Sequence, residues 1–322
     1  MAKRKKKNTS LTLGHYVVGF MDLLGQQENL RSLSVLPLSR DQEELDKIKE
    51  ELKKTYGAVV GMRKFFNESF EGFKRKPIDT AGFSAEQKKE YVSLDNHPIK
   101  MQSFSDSMVI FMPLKMDMLK LPVRGIYGIF GSAATTFLCC LAIGHPIRGG
   151  IDVGLGMDIT KNEIYGPALS RSYSLESRIA NYPRIVVGNE LIKHLETLSN
   201  QVSSDNVSEV SKTIARQCLD CLVVDSDGYH VIDYLGQSYL DLFGAAIDTS
   251  VITKSYQQVL TFCEKFQSEK NTKLAFRYTL LRNYFEDRLH LWENLISKQD
   301  ENTNKKINQT PNIDSGNITV AS

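Results

Sequence analysis

A twenty-residue segment near the middle of the chain contains no charged residue, and it restricts the possible folds more than any other feature. Residues 125–144 are long enough to cross a bilayer. The segment also contains four glycines, one serine and two threonines, and the chain has no second segment of this kind. Its glycines at 125, 128 and 131, followed by two alanines, suit a helix that packs closely on another element. We therefore predict a helix buried in the core or in a dimer interface, and no stable membrane insertion.

Composition excludes several classes of partner. The 322 residues are 41% hydrophobic and 24% charged, as in ordinary soluble globular proteins. With 40 Lys and Arg against 38 Asp and Glu, the net charge is +2, so no overall field favours nucleic acid or a membrane. Five of the first seven residues are basic. We expect residues 1–13 to form a basic flexible tail rather than a signal peptide, with contact to an anionic surface as the alternative.

The five cysteines indicate a reducing compartment, because an odd number does not suit a complete disulfide framework. We therefore expect a cytoplasmic protein. Cys218 and Cys221 form a lone Cys-x-x-Cys pair, and a structural zinc site would need a second pair or histidines at suitable spacing. We expect these two side chains to be buried apolar groups.

The order of strand-like and helix-like segments predicts an α+β fold. The first half reads as a strand (15–24), a long helix (39–76), a polar loop or insertion (77–98), a hairpin (99–104 and 108–114) with Asp106 at its turn, and the helix 125–144. A second strand pair (146–155 and 159–166) around Gly154, Gly156 and Asp158, a helix (167–181) and a strand (184–187) follow. This order predicts an antiparallel-rich sheet with helices on one face.

The remainder of the chain predicts a mostly helical extension. Helices are expected at 189–198 and 209–219, a strand pair at 222–224 and 229–234, and two long amphipathic helices within 255–292. We divide the chain into a tail (1–13), a main domain (14–188), an α-rich extension with a small β-hairpin (189–297) and a disordered tail (298–322), whose polar composition offers little apolar surface to bury.

Asp22 and Asp106 are the residues most informative about chemistry. Each is the lone acid in an otherwise uncharged segment, FMDLLG at 20–25 and FSDSM at 104–108. If the first strand is central and the hairpin lies beside it, both carboxylates fall at the same end of adjacent strands. Two such carboxylates repel each other, so the site favours a cation between them, and Mg²⁺ or Mn²⁺ suits oxygen ligands. The alternative is that each Asp caps a turn.

The amino-acid sequences of these segments resemble those of a known family. The strings GFMDLLG, FSDSMVIF, IRGGIDVGLG and IYGPALSRSYSLESRIANYPRIVV, in this order over residues 14–188, are similar to the class III nucleotide cyclase catalytic domain. More narrowly, FSDS, YPRI and the later DSDGYHVIDYLG resemble the pyrimidine cyclases of the bacterial Pycsar antiphage system. The resemblance implies a ferredoxin-like βαββαβ sheet and a homodimer with sites at the subunit boundary. It also implies conversion of UTP or CTP to the cyclic monophosphate, with an effector that senses the product.

The resemblance also implies a metal site. Asp22 and Asp106 would bind two Mn²⁺ or Mg²⁺ ions, with the backbone carbonyl of Leu23 helping to hold one. One ion would lower the pKa of the ribose 3′-hydroxyl, and the other would neutralise the triphosphate and the departing pyrophosphate. Amides at and after Gly25 would meet the phosphates where the chain enters the next helix.

Base recognition is assigned to two residues. Phe20 shares a strand face with Asp22 and would stack on a small base, and the alternative is a plain core residue. Arg63 on the first helix would read the base, and the alternative is a solvated helix face.

The sequence departs from the family at two positions. Where adenylyl and guanylyl cyclases place Asn and Arg, counted from Gly166, this chain has Ser170 and Ser174. Arg171 and Arg178 lie three residues before and four after Ser174, which predicts one helical face from which either would reach the phosphates. The alternative is that Arg171 and Arg178 are both surface arginines. The substitutions keep two alternatives open, a non-catalytic cyclase-homology regulatory or scaffold domain and another two-metal nucleotidyl enzyme.

Overall fold

A computed structural model of the chain describes residues 12–26, 42–74, 79–95, 99–114, 123–160, 162–244 and 248–293. The predicted basic tail, apart from its last two residues, and the predicted disordered tail 298–322 lie outside these ranges. The helices and strands are, in chain order, β1 (Thr12–Leu23), α1 (Gln42–Lys74), α2 (Ala85–Asp95), β2 (Lys100–Phe104), β3 (Ser107–Leu114), α3 (Val123–Ala142), β4 (Ile147–Thr160), β5 (Glu163–Tyr165), α4 (Pro167–Ser174), β6 (Ile185–Val187), α5 (Asn189–Asn200), α6 (Asn206–Asp220), β7 (Leu222–Val224), β8 (His230–Ile232), α7 (Gln237–Phe243), α8 (Thr249–Ser268) and α9 (Thr272–Asp287). A π-helical turn, Leu175–Ile179, directly continues α4.

The centre of the fold is an antiparallel sheet in which β1 lies between β3 and β4. The hairpin partner β2 lies outside β3, which gives the order β2-β3-β1-β4. With α1 between β1 and β2, and α3 between β3 and β4, this is the ferredoxin-like βαββαβ arrangement. The α+β fold predicted from the sequence, including its helical C-terminal region, is confirmed.

Alternating side chains of β1 divide the core into two layers. Val17 and Met21 belong to the main cluster with α1 and α3, whereas Tyr16 and Val18 pack in a smaller cluster with Ala168 of α4. The large helices therefore cover one face, as predicted, and the short helix α4 covers part of the other face. The end of this second face is where the candidate site forms.

The uncharged segment is a core helix. Among the described residues, α3 is the one helix long and apolar enough to span a membrane, and 72% of its apolar window is buried inside the protein. A Cβ added at Gly128 would lie 2.8 Å from the Phe70 ring, and one at Gly131 would lie 2.7 Å from Phe243. The structure places this helix in the core of the chain itself, one of the two environments predicted for it.

Two sequence predictions are corrected. The stretch 77–98, predicted as a polar loop or insertion, contains the helix α2. The start of α2 is a reciprocal cap, in which the backbone amide of Gln87 donates to Ser84 Oγ at 3.1 Å and the backbone amide of Ser84 donates to Gln87 Oε1 at 2.9 Å. The predicted strand break around Gly154 and Gly156 is absent, because β4 runs unbroken from residue 147 to 160. These glycines instead allow close packing, since a Cβ at Gly154 would lie 3.3 Å from the Ala168 backbone.

The β7–β8 hairpin extends the main sheet, because β8 pairs with β6, which runs parallel to β4. Arg184 fixes this junction with ion pairs to Asp225 and Asp227 in the hairpin turn, and its own side chain is only 4% exposed. The predicted hairpin and the predicted helix pair α8–α9 are thus present, and the division of the chain at residue 188 stays a prediction. Cys218 and Cys221 are buried free thiols, as expected.

Candidate active site

The end of β1 places Asp22 in a cleft of about 670 Å³ on the α4 side of the sheet. Because side chains alternate along the strand, Met21 and Leu23 enter the main core while Phe20 and Asp22 line the cleft. Ser107 lies opposite Asp22 in the β1–β3 register. Its hydroxyl donates to Asp22 Oδ1 at 2.7 Å, which fixes the orientation of the carboxylate.

Asp106 reaches the same cleft from the turn between β2 and β3. Its backbone carbonyl accepts a hydrogen bond from the Leu23 amide at 3.2 Å, which joins the turn to the end of β1. Burial raises the pKa of Asp22, and the charge of Asp106 raises it further, while Ser107 and Arg148 lower it. The structure therefore places the two sequence-predicted carboxylates in one cleft, and the charge of Asp106 acts on Asp22.

A third acid and an arginine complete the polar floor of the cleft. Arg148 of β4 lies directly across from Asp22 in the β1–β4 register, with Nη2 3.9 Å from Asp22 Oδ2. Its Nε donates to Glu176 Oε1, which comes from the π-helical turn. Glu176 is 2% exposed, and burial raises its pKa to about 7 although Arg148 opposes the shift. Arg148 is thus shared between two carboxylates.

The donor set fits a divalent ion held jointly with a ligand. Within the described ranges, no three His, Cys, Asp or Glu side chains form a metal cluster of their own. Mg²⁺ commonly binds through one or two carboxylates together with substrate phosphates, so Asp22 and Asp106 suffice when phosphate oxygens complete the shell. Gln26 also belongs to the lining of the cleft, and its buried side-chain amide has no hydrogen-bond partner among the described residues.

The chain leaves β1 through a turn that exposes backbone to the cleft. The Leu24 amide donates to the Pro146 carbonyl at 2.9 Å, and Gly25 follows with φ +84°, a conformation that favours glycine. Leu23 and Gly25 both line the cleft, which is where the sequence analysis placed a metal-binding carbonyl and phosphate-binding amides.

Phe20 forms an aromatic wall of the cleft. It is half-buried, and its ring meets that of Tyr173 edge to face at a centroid distance of 5.3 Å. Tyr173 also lines the cleft and is 50% exposed. These two rings offer a surface against which a planar base can stack.

The three arginines predicted to contact the nucleotide lie elsewhere in the single chain. Arg63 Nη2 donates to the Ser105 carbonyl at 3.1 Å, behind the turn that carries Asp106. Arg171 donates to the Val153 carbonyl at 3.4 Å and borders a neighbouring groove. Arg178 is exposed on the π-helical turn, and none of the three is among the described residues that line the cleft.

The π-helical turn also corrects the helical-face argument. The Ala180 amide donates to the Leu175 carbonyl at 2.8 Å, an i to i+5 bond. A turn of this kind holds more residues than an α-helical one, so Arg178 does not share the face of Arg171 that 3.6 residues per turn predicts. Glu176, the second residue of this turn, lines the cleft.

Several cleft residues were not predicted from the sequence. Arg148 and Glu176 depend on strand register and on the π-helical turn, neither of which the sequence pattern indicated. Six further residues come from the C-terminal helices α8 and α9, namely Phe262, Lys265, Phe266, Leu274, Arg277 and Tyr278. The amphipathic pattern of these helices predicted their existence and gave no sign of where they pack.

Comparison with known proteins gives a limited result. No protein-family model matches the chain, and no curated protein matches it. A solved structure of a bacterial light-regulated adenylyl cyclase resembles it at 10% identity and a TM-score of 0.32, over 66% of this chain and 59% of that one. A second such structure has 11% identity and a TM-score of 0.30, over 64% of this chain and 99% of that one.

Proposed function

We propose that this protein is a nucleotide cyclase that converts UTP or CTP to the 3′,5′-cyclic monophosphate and pyrophosphate. The observation that carries the proposal is the convergence of Asp22 and Asp106 on one cleft at the end of the central hairpin. In this reaction the ribose 3′-hydroxyl releases its proton to water or to the departing pyrophosphate, and its oxygen attacks the α-phosphorus. The bond from that phosphorus to the bridging oxygen breaks, and pyrophosphate departs with the bonding electrons. Reactions of this type depend mainly on positioning and charge neutralisation.

The chain would contribute ligands and orientation. Asp22 and Asp106, with the Leu23 carbonyl, would hold two Mn²⁺ or Mg²⁺ ions, and the donor set described above fits them. Bound divalent ions would activate the 3′-hydroxyl and neutralise the charge on the leaving group. Ser107 would keep the Asp22 carboxylate aimed into the cleft, and backbone amides near Gly25 would meet phosphate oxygens.

The aromatic wall supports a pyrimidine substrate. Phe20 and Tyr173 present ring faces and edges beside the carboxylates, where a pyrimidine base would stack. The FSDS, YPRI and DSDGYHVIDYLG strings, which resemble Pycsar cyclases, support a role in antiphage defence. The product would then act in the cytoplasm on an effector that senses it. Arg63, which supports the Asp106 turn, would read the base only after a local rearrangement.

A homodimer is part of the proposal. Arg171 and Arg178 are exposed and outside the cleft of their own chain, so they would reach phosphates only in the cleft of a second copy. Arg171 borders a groove that also contains Phe104 and Tyr165, which are 48% and 65% exposed. Exposed aromatic side chains of this kind suit a protein interface.

The test is an assay of the purified full chain with UTP, CTP, ATP or GTP and Mn²⁺ or Mg²⁺, with products identified by mass spectrometry. We expect cyclic UMP or cyclic CMP and an equal amount of pyrophosphate. Asp22→Asn and Asp106→Asn should each lower the rate at least about 100-fold, because metal-held charge contributes several kcal/mol to such reactions. Asp241→Asn, an exposed acid of α7 outside the cleft, is the matched control and should retain activity.

The other outcomes separate the alternatives. A cyclic purine nucleotide as product would contradict the proposed pyrimidine substrate and support the proposed nucleotide cyclase activity. A linear or dinucleotide product would indicate another two-metal nucleotidyl enzyme. No product from any nucleoside triphosphate, or a wild-type rate in both carboxylate variants, would contradict the proposal and favour a non-catalytic regulatory or scaffold domain.

A further inference from the structure

The C-terminal helices form a wall of the candidate active site. Lys265 and Phe266 at the end of α8, and Arg277 and Tyr278 in α9, line the same cleft as Asp22 and Asp106. These residues follow β1 by more than two hundred positions, and nothing in the cyclase-like core requires them. The cleft therefore has its carboxylates on the side built by the sheet, beside Arg148, and a basic, aromatic side built by the extension.

Arg277 is the residue in this wall whose surroundings call for a ligand. It is half-buried, and no carboxylate pairs with it among the residues that the structure describes. Burial lowers the pKa of Arg277 most, the like charge of Arg148 lowers it further, and Tyr278 opposes the shift. Two guanidinium groups facing one cleft repel each other, and an anion bound between them would relieve this repulsion.

The wall is fixed firmly enough to position a ligand. Tyr278 packs against Phe262 and Phe266, with ring centroids 4.7 and 5.3 Å apart. Further along α9, the Tyr284 hydroxyl donates to Asp233 Oδ1 at 2.8 Å, and Arg288 forms an ion pair with the same carboxylate. Since Asp233 directly follows β8, these contacts attach α9 to the central sheet.

We propose that Arg277, together with Arg148 and Lys265, binds the polyphosphate of the substrate and the pyrophosphate product, so that the C-terminal extension is part of the active site. A polyphosphate bridged to divalent ions at Asp22 and Asp106 would present its remaining oxygens to the basic side. Guanidinium groups suit this task because they donate two parallel hydrogen bonds to phosphate oxygens. The substrate identity rests on the proposed function, whereas the anion site rests on the charges of the cleft.

The experiment measures pyrophosphate and tripolyphosphate binding to the full chain by calorimetry, with and without Mg²⁺. Arg277→Gln should weaken binding of both anions at least about tenfold, as expected for the loss of one charge-assisted phosphate contact. Lys273→Gln is the matched control, because Lys273 is an exposed cation of the same helix outside the cleft, and it should bind like wild type. Arg277→Lys, which retains the positive charge but not the two parallel hydrogen-bond donors of the guanidinium group, should give an intermediate affinity.

Activity then separates this assignment from the proposed function. If the wild-type chain forms a cyclic nucleotide, Arg277→Gln should raise KM for the nucleotide and the inhibition constant of pyrophosphate together. If the wild-type chain makes no cyclic nucleotide but Arg277→Gln still loses pyrophosphate binding, the cyclase proposal would be refuted and the anion site supported. Equal pyrophosphate affinity in wild type, Arg277→Gln and Lys265→Gln, each folded by thermal unfolding, would overturn the assignment whatever the activity.

Discussion

Glu176 shows how a single buried carboxyl group sets the electrostatics of the cleft. Its side chain comes from the π-helical turn, and it pairs with Arg148. The charges of Asp22 and Asp106 also act on it, and they raise its pKa further after burial. Protonated, Glu176 leaves Arg148 free to pair with Asp22. Ionised, it competes for the same guanidinium, so the charge that Asp22 presents to a cation depends on pH.

The stability of the protein should reflect this group. The pKa of Glu176 in the folded chain is about 7, above its ordinary value of 4.5. The folded state therefore holds a proton that the unfolded state releases, and the stabilisation by this proton is lost as pH rises from 4.5 through 7. Glu176→Gln lacks this titration. Between pH 4.5 and 8 the stability of wild type should fall relative to Glu176→Gln by up to about 3 kcal/mol.

Urea unfolding of both chains at several pH values measures this difference. The comparison uses the change of stability with pH, because Glu176→Gln carries no titrating group at this position at any pH. Parallel stability curves for the two chains across this range would contradict the raised pKa of Glu176.

Single residues differ in how well the sequence predicts their role. Asp22 and Asp106 were found as lone acids in apolar segments, whereas Glu176 resembles any helical surface acid in the sequence.

Among the elements, α3 shows why small residues recur in an uncharged helix. Gly125 faces Met112 of β3, Gly128 faces Phe70 of α1, and Gly131 faces both Phe73 and Phe243. The three glycines bring α3 close enough to α1, β3 and α7 for large rings to lie directly on its backbone. Burial in this packed core accounts for the absence of charged residues in the segment, and no membrane is needed to explain it.

Substitution of one of these glycines tests the packing. A Cβ at Gly131 would lie 2.7 Å from Phe243 and 2.8 Å from Phe73, so both rings must move. Gly131→Ala should lower the free energy of unfolding by about 1 to 3 kcal/mol, the usual cost of an overpacked core. Gly57→Ala is the matched control, since Gly57 is a helical residue of α1 with nothing within 4 Å of the added atom. It should stabilise the chain by about 0.4 to 1 kcal/mol.

Chemical unfolding of the three chains measures both effects. A Gly131→Ala chain as stable as Gly57→Ala would mean that α3 packs less closely than described.

The helices and strands also show where a local sequence pattern predicts structure. The hairpin 99–114 and the helix pair α8–α9 were predicted because their periodicity depends on nearby residues alone. The glycines of β4 were misread as a turn because their cause, the backbone of α4 and the ring of Tyr16, lies far away in sequence.

At the scale of the whole molecule, the cleft is assembled from three distant parts of the chain. The sheet supplies carboxylates, the π-helical turn supplies Glu176, and α8 and α9 supply the opposite wall. The first part was predictable, because strand alternation and adjacency place Asp22 and Asp106 at one end of the sheet. The other wall was not, since amphipathic helices 240 residues downstream carry no signal of the surface they will cover.

The position of Arg171 and Arg178 leads to a prediction about assembly. Both lie outside the cleft of their own chain, so in a dimeric cyclase they would act in the cleft of the partner. Asp22→Asn and the double variant Arg171→Ala/Arg178→Ala should then each be inactive alone. Mixed, they should regain activity, because a heterodimer contains one cleft with intact carboxylates that faces a subunit with intact arginines.

Random pairing of equal amounts makes half of the dimers mixed, with one good cleft in each, so the mixture should recover about a quarter of the wild-type rate when subunits exchange freely. Subunits that act independently give a different result, because every cleft would then lack either its carboxylate or its arginines and mixing would restore nothing. Size-exclusion chromatography with light scattering of the same mixtures decides between the two causes of such a failure. A dimer without complementation would place the arginines in the cleft of their own chain, and an active Arg171→Ala/Arg178→Ala variant would place them outside catalysis. A monomer with full activity would contradict the dimer itself.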